Sequence, residues 1–329
     1  MTIGAVEVSA AASARALVNS HHRFRPRRRR IREKHSMGKT FVLTVDVEID
    51  AGPKWRTSNP ATYEGVHVGI ASLQRLCDAY GVKPVYLISP AVMVDARAVA
   101  FLGALDEGRC ELGTHLHGEY IPPNETFPGP DFSGCDPKEM QCQYEKDIEF
   151  AKLKNLTDRF VELFGCAPRS FRAGRFGARG WTIECLERLG YTHDTSVTPF
   201  RNWYDLVDFS KPGSLSPYHP STNDICGHGE STVLEVPVSI TPDLRWLRPT
   251  PRFSDLGQCM AVIDWYEAHV QPTVLCSMIH NVELVPGKSP YCKTEEDCRD
   301  MLLRIEGMFR ILQERRYLFK SLSQVTVDG

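Results

Sequence analysis

Residues Phe41 to Val47 read FVLTVDV, a short β-branched run too apolar to present a face to water, which marks a strand buried on both sides in a parallel sheet. Parallel neighbours can be joined only by a crossover of a dozen residues or more, usually a helix, so such a strand commits the next stretch of chain to that crossover. The spacing supplies the helix: Ile70, Leu73, Cys77 and Tyr80 recur at helical intervals, and Gly81 stands where a left-handed cap is wanted. Val85 to Ile88 is then a second apolar strand, Ala98 to Asp106 a second helix, and Cys110 to Thr114 a third strand.

The alternation persists to the end of the chain. Asp136-Pro137-Lys138-Glu139 offers an N-cap, a proline at the first helical position and an acid three residues after the cap, opening a long helix that runs to about Phe164 before Gly165. Ser170 to Arg172, Val233 to Ile240 and Thr273 to Ile279 read as strands, Trp181 to Leu189 and Asp255 to His269 as helices. Thr294 caps a last helix, and Phe319 to Val325 reads as a final strand. About seven parallel strands in under 300 residues predict an α/β chain folded as an irregular (β/α) barrel, in preference to an open doubly wound sheet.

The reactive side chains support that choice, because Asp46, His115, Arg172 and His280 all fall at the C-terminal ends of predicted strands, the functional face of such barrels. Side chains two apart on a strand share a face, so Asp46 and Glu48 address one space, as do His115 and His117 in GTHLHGEY. Two imidazoles and one carboxylate make the three-ligand set of a catalytic zinc site. Glu48, His115 and His117 are therefore candidate ligands of a divalent metal, zinc first. Asp46 remains as a candidate base that takes a proton from water. Neither a glycine-rich phosphate loop nor a dinucleotide fingerprint is present, so no organic cofactor is expected.

From about Thr40 to Val325 these residues resemble the polysaccharide deacetylases of the NodB-homology, carbohydrate-esterase type, a family with an irregular seven-stranded β/α barrel. TVDVEID is similar to the family's strand-end acid pair, which implies that Asp46 is the base and Glu48 the ligand, with Asp50 as an alternative to Glu48. The family spaces its two metal-binding histidines four apart. Here Glu119 stands four beyond His115, so His117 or Glu119 completes the set; strand alternation and the affinity of imidazole for zinc favour His117. SFRAGRFG resembles the motif whose arginine holds the catalytic acid, implying that role for Arg172, with Arg175 placed to reach substrate. MIHN resembles the motif whose histidine protonates the departing amine, implying His280 as general acid, with Asp194 or Glu235 as its acidic partner.

The reaction so implied is metal-dependent removal of an N-acetyl or other N-acyl group from an amino sugar or polysaccharide precursor. An amidase or formamidase acting on a small non-sugar amide uses the same machinery, and a non-catalytic carbohydrate-binding barrel is the alternative outside enzymes. Trp55, Tyr120, Trp203 and Tyr291 lie in loops near strand ends, where aromatic rings stack on sugars or simply pack. Carbohydrate or a small amide is the expected partner. Nucleic acid is not expected, and oligomeric state is not legible.

Charge divides the chain of 329 residues. Residues 1 to 36 carry nine Lys and Arg against two acids, and the remainder 30 against 39, so the net charge from Met37 onward is −9. The first part, with the run RPRRRRIR, lacks apolar periodicity and reads as a disordered basic tail ahead of a catalytic barrel over 37–329. Its basic run follows the weakly apolar part, the reverse of a secretory signal, and no apolar run reaches the length of a membrane span. The eleven cysteines are scattered without a C-x-x-C pair, which fits buried thiols in a reducing compartment, so the expected location is the cytoplasm.

Overall fold

The computed structural model describes residues 38–57, 60–105, 108–128, 140–251 and 253–329. The basic segment 1–36 and the helix cap expected at Asp136 to Glu139 lie outside the described residues.

The strands are β1 (Thr40–Val47), β2 (Val85–Ile88), β3 (Glu111–Leu116), β4 (Ser170–Ala173), β5 (His193–Asp194), β6 (Asn202–Trp203), β7 (Val207–Asp208), β8 (Leu234–Glu235), β9 (Val274–His280) and β10 (Leu318–Phe319). Seven of them form one parallel row in the order β9-β1-β2-β3-β4-β5-β8. β10 pairs with Thr40 and Phe41 at the start of β1, below the level at which β2 begins opposite Thr44. The ends of the row approach each other where Ser239 N donates to Cys276 O at 2.9 Å and Cys276 N donates to Ser239 Oγ at 2.9 Å. The sheet thus curls into an irregular (β/α) barrel held shut at a narrow seam.

Helices cover the outside: α1 (Ala71–Tyr80), α2 (Ala96–Gly103), α3 (Lys146–Phe164), α4 (Gly180–Arg188), α5 (Leu256–His269) and α6 (Glu295–Glu314). Their ends obey the local chemistry. Gly81 and Gly165 close α1 and α3 with φ of 67° and 72°, where a side chain would be strained. Thr294 and Asp297 exchange side-chain to backbone bonds at the start of α6.

All eight residues of β1 are buried, and alternation splits them between two environments. Phe41, Leu43, Val45 and Val47 pack outward under the helices with Leu73, Cys77 and Phe309. Val42 packs with Val85, Leu87, Val236 and Cys276 inside the barrel. Burying side chains of this size contributes roughly 1.5–3 kcal/mol each before entropy is subtracted. On the same inward row the next residues are Thr44 and Asp46, so the interior turns polar toward the C-terminal end of the strands, and Asp46 arrives there with only 2% exposure.

Three expectations need correction, and one element is new. The described part of the long helix begins at Lys146, after a 3-10 turn over Gln141–Gln143, because Glu145 is extended (ψ 147°) and breaks the helical path. The strand expected over Val233 to Ile240 is only Leu234–Glu235, since the chain then crosses to other neighbours: Val238 N bonds Val197 O, and Ser239 N bonds Cys276 O. β10 is limited to Leu318–Phe319, and Leu322–Gln324 forms a 3-10 turn. The antiparallel β6–β7 hairpin was not expected, because its turn through Tyr204 and Asp205, both at φ 57°, contains no glycine. Among the described residues no helix is long and apolar enough to cross a membrane.

Candidate metal centre

Register brings the reactive residues together in two adjacent pairs. Asp46 stands opposite His280 across β1 and β9, and His115 opposite Arg172 across β3 and β4. Glu48 lies one step past β1 and His117 one step past β3, each two residues on from its partner and so turned to the same space.

Glu48, His115 and His117 offer three donor atoms that lie within 4.8 Å of one another. Glu48 Oε1 is 3.3 Å from His115 Nε2 and 3.0 Å from His117 Nε2, and the two Nε2 atoms are 3.1 Å apart. Donors about 2.0–2.1 Å from a tetrahedral zinc stand about 3.3 Å from one another, so the set already has nearly the spacing that such an ion requires. The outer nitrogens fit as well. His115 Nδ1 lies 3.0 Å from Arg172 O, to which it can only donate, and His117 Nδ1 lies 3.1 Å from Glu119 Oε1. Each imidazole, when neutral, therefore carries its proton on Nδ1 and turns the Nε2 lone pair inward, as a ligand must.

The field of the site favours positive charge there. Burial works to lower the pKa of His117, but Glu119 and Glu48 outweigh it and hold the imidazole up at about 10. Glu48 is likewise opposed by burial, yet His117 and His115 hold it well below the usual carboxylate range. Glu119 sits behind the cluster, paired with Arg175, and its pKa falls to about 2 against burial because of His117 and then Arg175.

Asp46 belongs to the same space without joining the triad. Its Oδ2 is 3.8 Å from His115 Nε2 and 3.9 Å from His280 Nε2. Its other oxygen accepts from Arg172 Nη1 at 2.7 Å. Arg172 is wholly buried and held on three sides, donating also to Thr44 Oγ1 at 2.7 Å and Thr195 O at 2.9 Å. Burial raises the Asp46 pKa, but Arg172, then His115 and His280, outweigh it and keep the carboxyl below its usual value. One oxygen is fixed while the other faces the cluster.

The acidic partner of His280 is neither Asp194 nor Glu235 but Glu283, whose Oε1 lies 2.7 Å from His280 Nδ1. Glu283 is fully buried and also accepts from Arg248 and Thr250. Burial lowers the pKa of His280, but Glu283 more than reverses this, so the ring holds its proton above the ordinary histidine value while Nε2 faces the site. Asp194 and Glu235 lie deep in the barrel, where Ser196 Oγ donates to one and Val197 N to the other, and burial raises both. A carboxylate three residues past a strand-end histidine was available as a signal for Glu283; its burial was not.

Two supports were also missed. Asn281 clamps the backbone of Glu48, accepting from Glu48 N at 2.8 Å and donating to Glu48 O at 3.0 Å. Lys152, wholly buried on α3, donates to the carbonyls of Gly118, Ile121 and Pro123 at 2.9, 2.8 and 2.7 Å and pairs with Glu125, fixing the loop after His117. The alternative ligand Asp50 is employed elsewhere, accepting from Thr62, Glu64 N and Gly65 N where the turn before α1 begins. Of the aromatic candidates, Trp55 leans on His280 with ring centroids 5.0 Å apart and donates to Tyr291 OH at 3.3 Å. Tyr120 is buried and packs near His117, and Trp203 is half-buried against Phe176.

No family model matches the chain, and no curated protein matches it. Several solved structures resemble it in shape. A Mycobacterium smegmatis protein assigned as a polysaccharide deacetylase shares 15% identity at a TM-score of 0.47, with 88% of this chain and 96% of that one aligned. A family 4 acetyl xylan esterase from Clostridium thermocellum, in complex with cobalt, shares 13% at 0.45, with 88% and 94% aligned. A family 4 pseudoenzyme from Bacillus anthracis shares 9% at 0.46, with 88% and 66% aligned. Likeness this distant leaves the chemistry of the present chain to its own side chains.

Proposed function

We propose that the chain is a metal-dependent hydrolase that removes an N-acetyl-sized acyl group from an amino sugar, with zinc as the metal. The observation that carries this reading is the Glu48, His115 and His117 cluster, flanked within 3.8–3.9 Å by an ionised Asp46 and a proton-holding His280. A divalent ion held by the three ligands supplies polarisation of an amide carbonyl and a lowered pKa for attacking water. The remaining steps belong to the protein. Asp46, kept ionised by Arg172, takes the proton of the attacking water as the new C–O bond forms. His280 Nε2 delivers its proton to the amide nitrogen as the C–N bond breaks, so the products are an acid and a free amine. Glu283 holds Nδ1 of His280 throughout and keeps the ring aimed.

A cavity of about 40 Å³ beside Glu48, His117 and Tyr120 supports a small acyl group, since about 10–15 Å³ of such space admits one water-sized atom group. The half-buried rings of Trp55 and Tyr291 beside His280 support a sugar over a bare amide. The test is to measure metal content by mass spectrometry and amine release from N-acetylglucosamine oligomers and from formamide. About one zinc per chain with amine released from the sugar is expected. Absence of metal binding after incubation with zinc, cobalt or nickel would overturn the metal reading, and turnover of formamide alone would move the substrate to small amides.

A further inference from the structure

The β6–β7 hairpin stands on the same face of the barrel as the candidate site, following β5 directly. It is tied down where Trp203 Nε1 donates to Thr198 Oγ1 at 2.7 Å. From Trp203 a line of stacked groups runs inward. The indole stacks on Phe176 at 5.5 Å and 19°, and Phe176 lies 5.8 Å from the guanidinium carbon of Arg172, which grips Asp46. In the other direction the guanidinium carbon of Arg201 lies 4.9 Å over the Trp203 ring.

Arg201 differs from the arginines that flank the candidate site. Arg172 is matched by Asp46, Arg175 by Glu119 and Arg248 by Glu283. Among the described residues no carboxylate pairs with Arg201, and its Nε is shielded from solvent without a hydrogen-bond acceptor. The acids of its own hairpin are turned to local tasks, Asp205 accepting from Asn202 and Asp208 from Ser210 N. A half-buried guanidinium left unpaired is costly, and a buried donor without a partner calls for a reason. Its planar fork, held flat by an indole, matches the two oxygens of a carboxylate or phosphate.

We propose that Arg201, stacked on Trp203, is a subsite for an anionic group of the substrate, a carboxylate or a phosphate, carried outside the reacting amide. The placement of the substrate rests on the amide-hydrolase reading, whereas anion capture is read by binding alone. The subsite selects acidic amino sugars over neutral ones and leaves the chemistry at Asp46 and His280 untouched.

The experiment titrates the zinc-loaded full chain, carrying Asp46→Asn so that no turnover intervenes, with three probes: N-acetylglucosamine, its 1-phosphate and N-acetylglucosaminuronic acid. Both charged probes, or the one of the matching source, should bind about tenfold or more tightly than the neutral sugar, the scale of one charge-assisted contact. Arg201→Gln should reduce the charged probes to the affinity of the neutral one, with the circular dichroism spectrum unchanged, and Arg201→Lys should restore only part. Equal binding of all three probes, no binding of any, or a charge preference that survives Arg201→Gln would each overturn the subsite. If the chain with Asp46 intact hydrolyses no amide while the Arg201-dependent preference persists, the amide-hydrolase reading fails and the subsite stands.

Discussion

At the residue scale, neighbouring acids with the same chemistry are separated by what surrounds them. Asp46 has one oxygen locked by Arg172 and the other 3.8 Å from His115, whereas Glu48 Oε1 sits 3.0–3.3 Å from two imidazole nitrogens. Asp46→Asn is expected to keep bound metal while turnover falls by roughly 10²–10⁴-fold, the usual contribution of acid–base catalysis. Glu48→Gln should instead weaken metal binding and regain part of its activity at high metal concentration. His280→Ala should keep metal and be slowest on substrates with the poorest leaving amines. Metal content measured beside rate on the three variants decides the assignment, and loss of metal from Asp46→Asn with retention in Glu48→Gln would mean that the two acids are exchanged. The pairs Asp46 with Glu48 and His115 with His117 were legible because two-residue alternation is a local property. Asp50 was also a candidate from sequence, and its three local hydrogen bonds together with its pairing to Lys288 engage it away from the cluster.

At the element scale, strands and helices were legible wherever apolar spacing was regular, as in β1, α1, α5 and β9. The sequence was least informative where a segment is held by side chains of a distant element. The loop from Gly118 to Glu125 has no regular bonding of its own beyond a short turn; Lys152 supplies it, reaching from α3 into three of its carbonyls. Helical spacing puts Lys152 on the buried face of α3 with Leu156 and Phe160, but nothing in the sequence names the carbonyls it meets. Lys152→Met should leave those three carbonyls without their donor and Glu125 without its partner, lowering unfolding free energy by about 3 kcal/mol in urea denaturation. Metal affinity should fall with it, because the loop begins at His117. A variant as stable as the parent would show that water replaces the ammonium without loss.

At the scale of the whole molecule, the barrel binds its last segment through buried groups whose charge state matters. His193 on β5 is buried, with Nε2 3.0 Å from Val325 O and Nδ1 2.9 Å from Thr192 Oγ1, a neutral ring that donates on one side and accepts on the other. Burial lowers its pKa below 6.5. The unfolded chain therefore binds a proton that the folded chain refuses, and the stability from this group is complete above the unfolded value and lost as pH falls toward the depressed one. Urea titrations between pH 7.5 and 5.5 should show the parent losing more stability than His193→Gln; equal slopes would refute the assignment. Taken alone, the sequence determined the alternation of strand and helix, the face on which the reactive residues collect and the donor types at β1 and β3, since each follows from periodicity within one element. Only the tertiary structure decided that Glu283 serves His280, that Glu119 stands behind His117, that Asn281 clamps Glu48 and that no acid among the described residues pairs with Arg201, because each depends on which side chains meet across elements far apart in the chain.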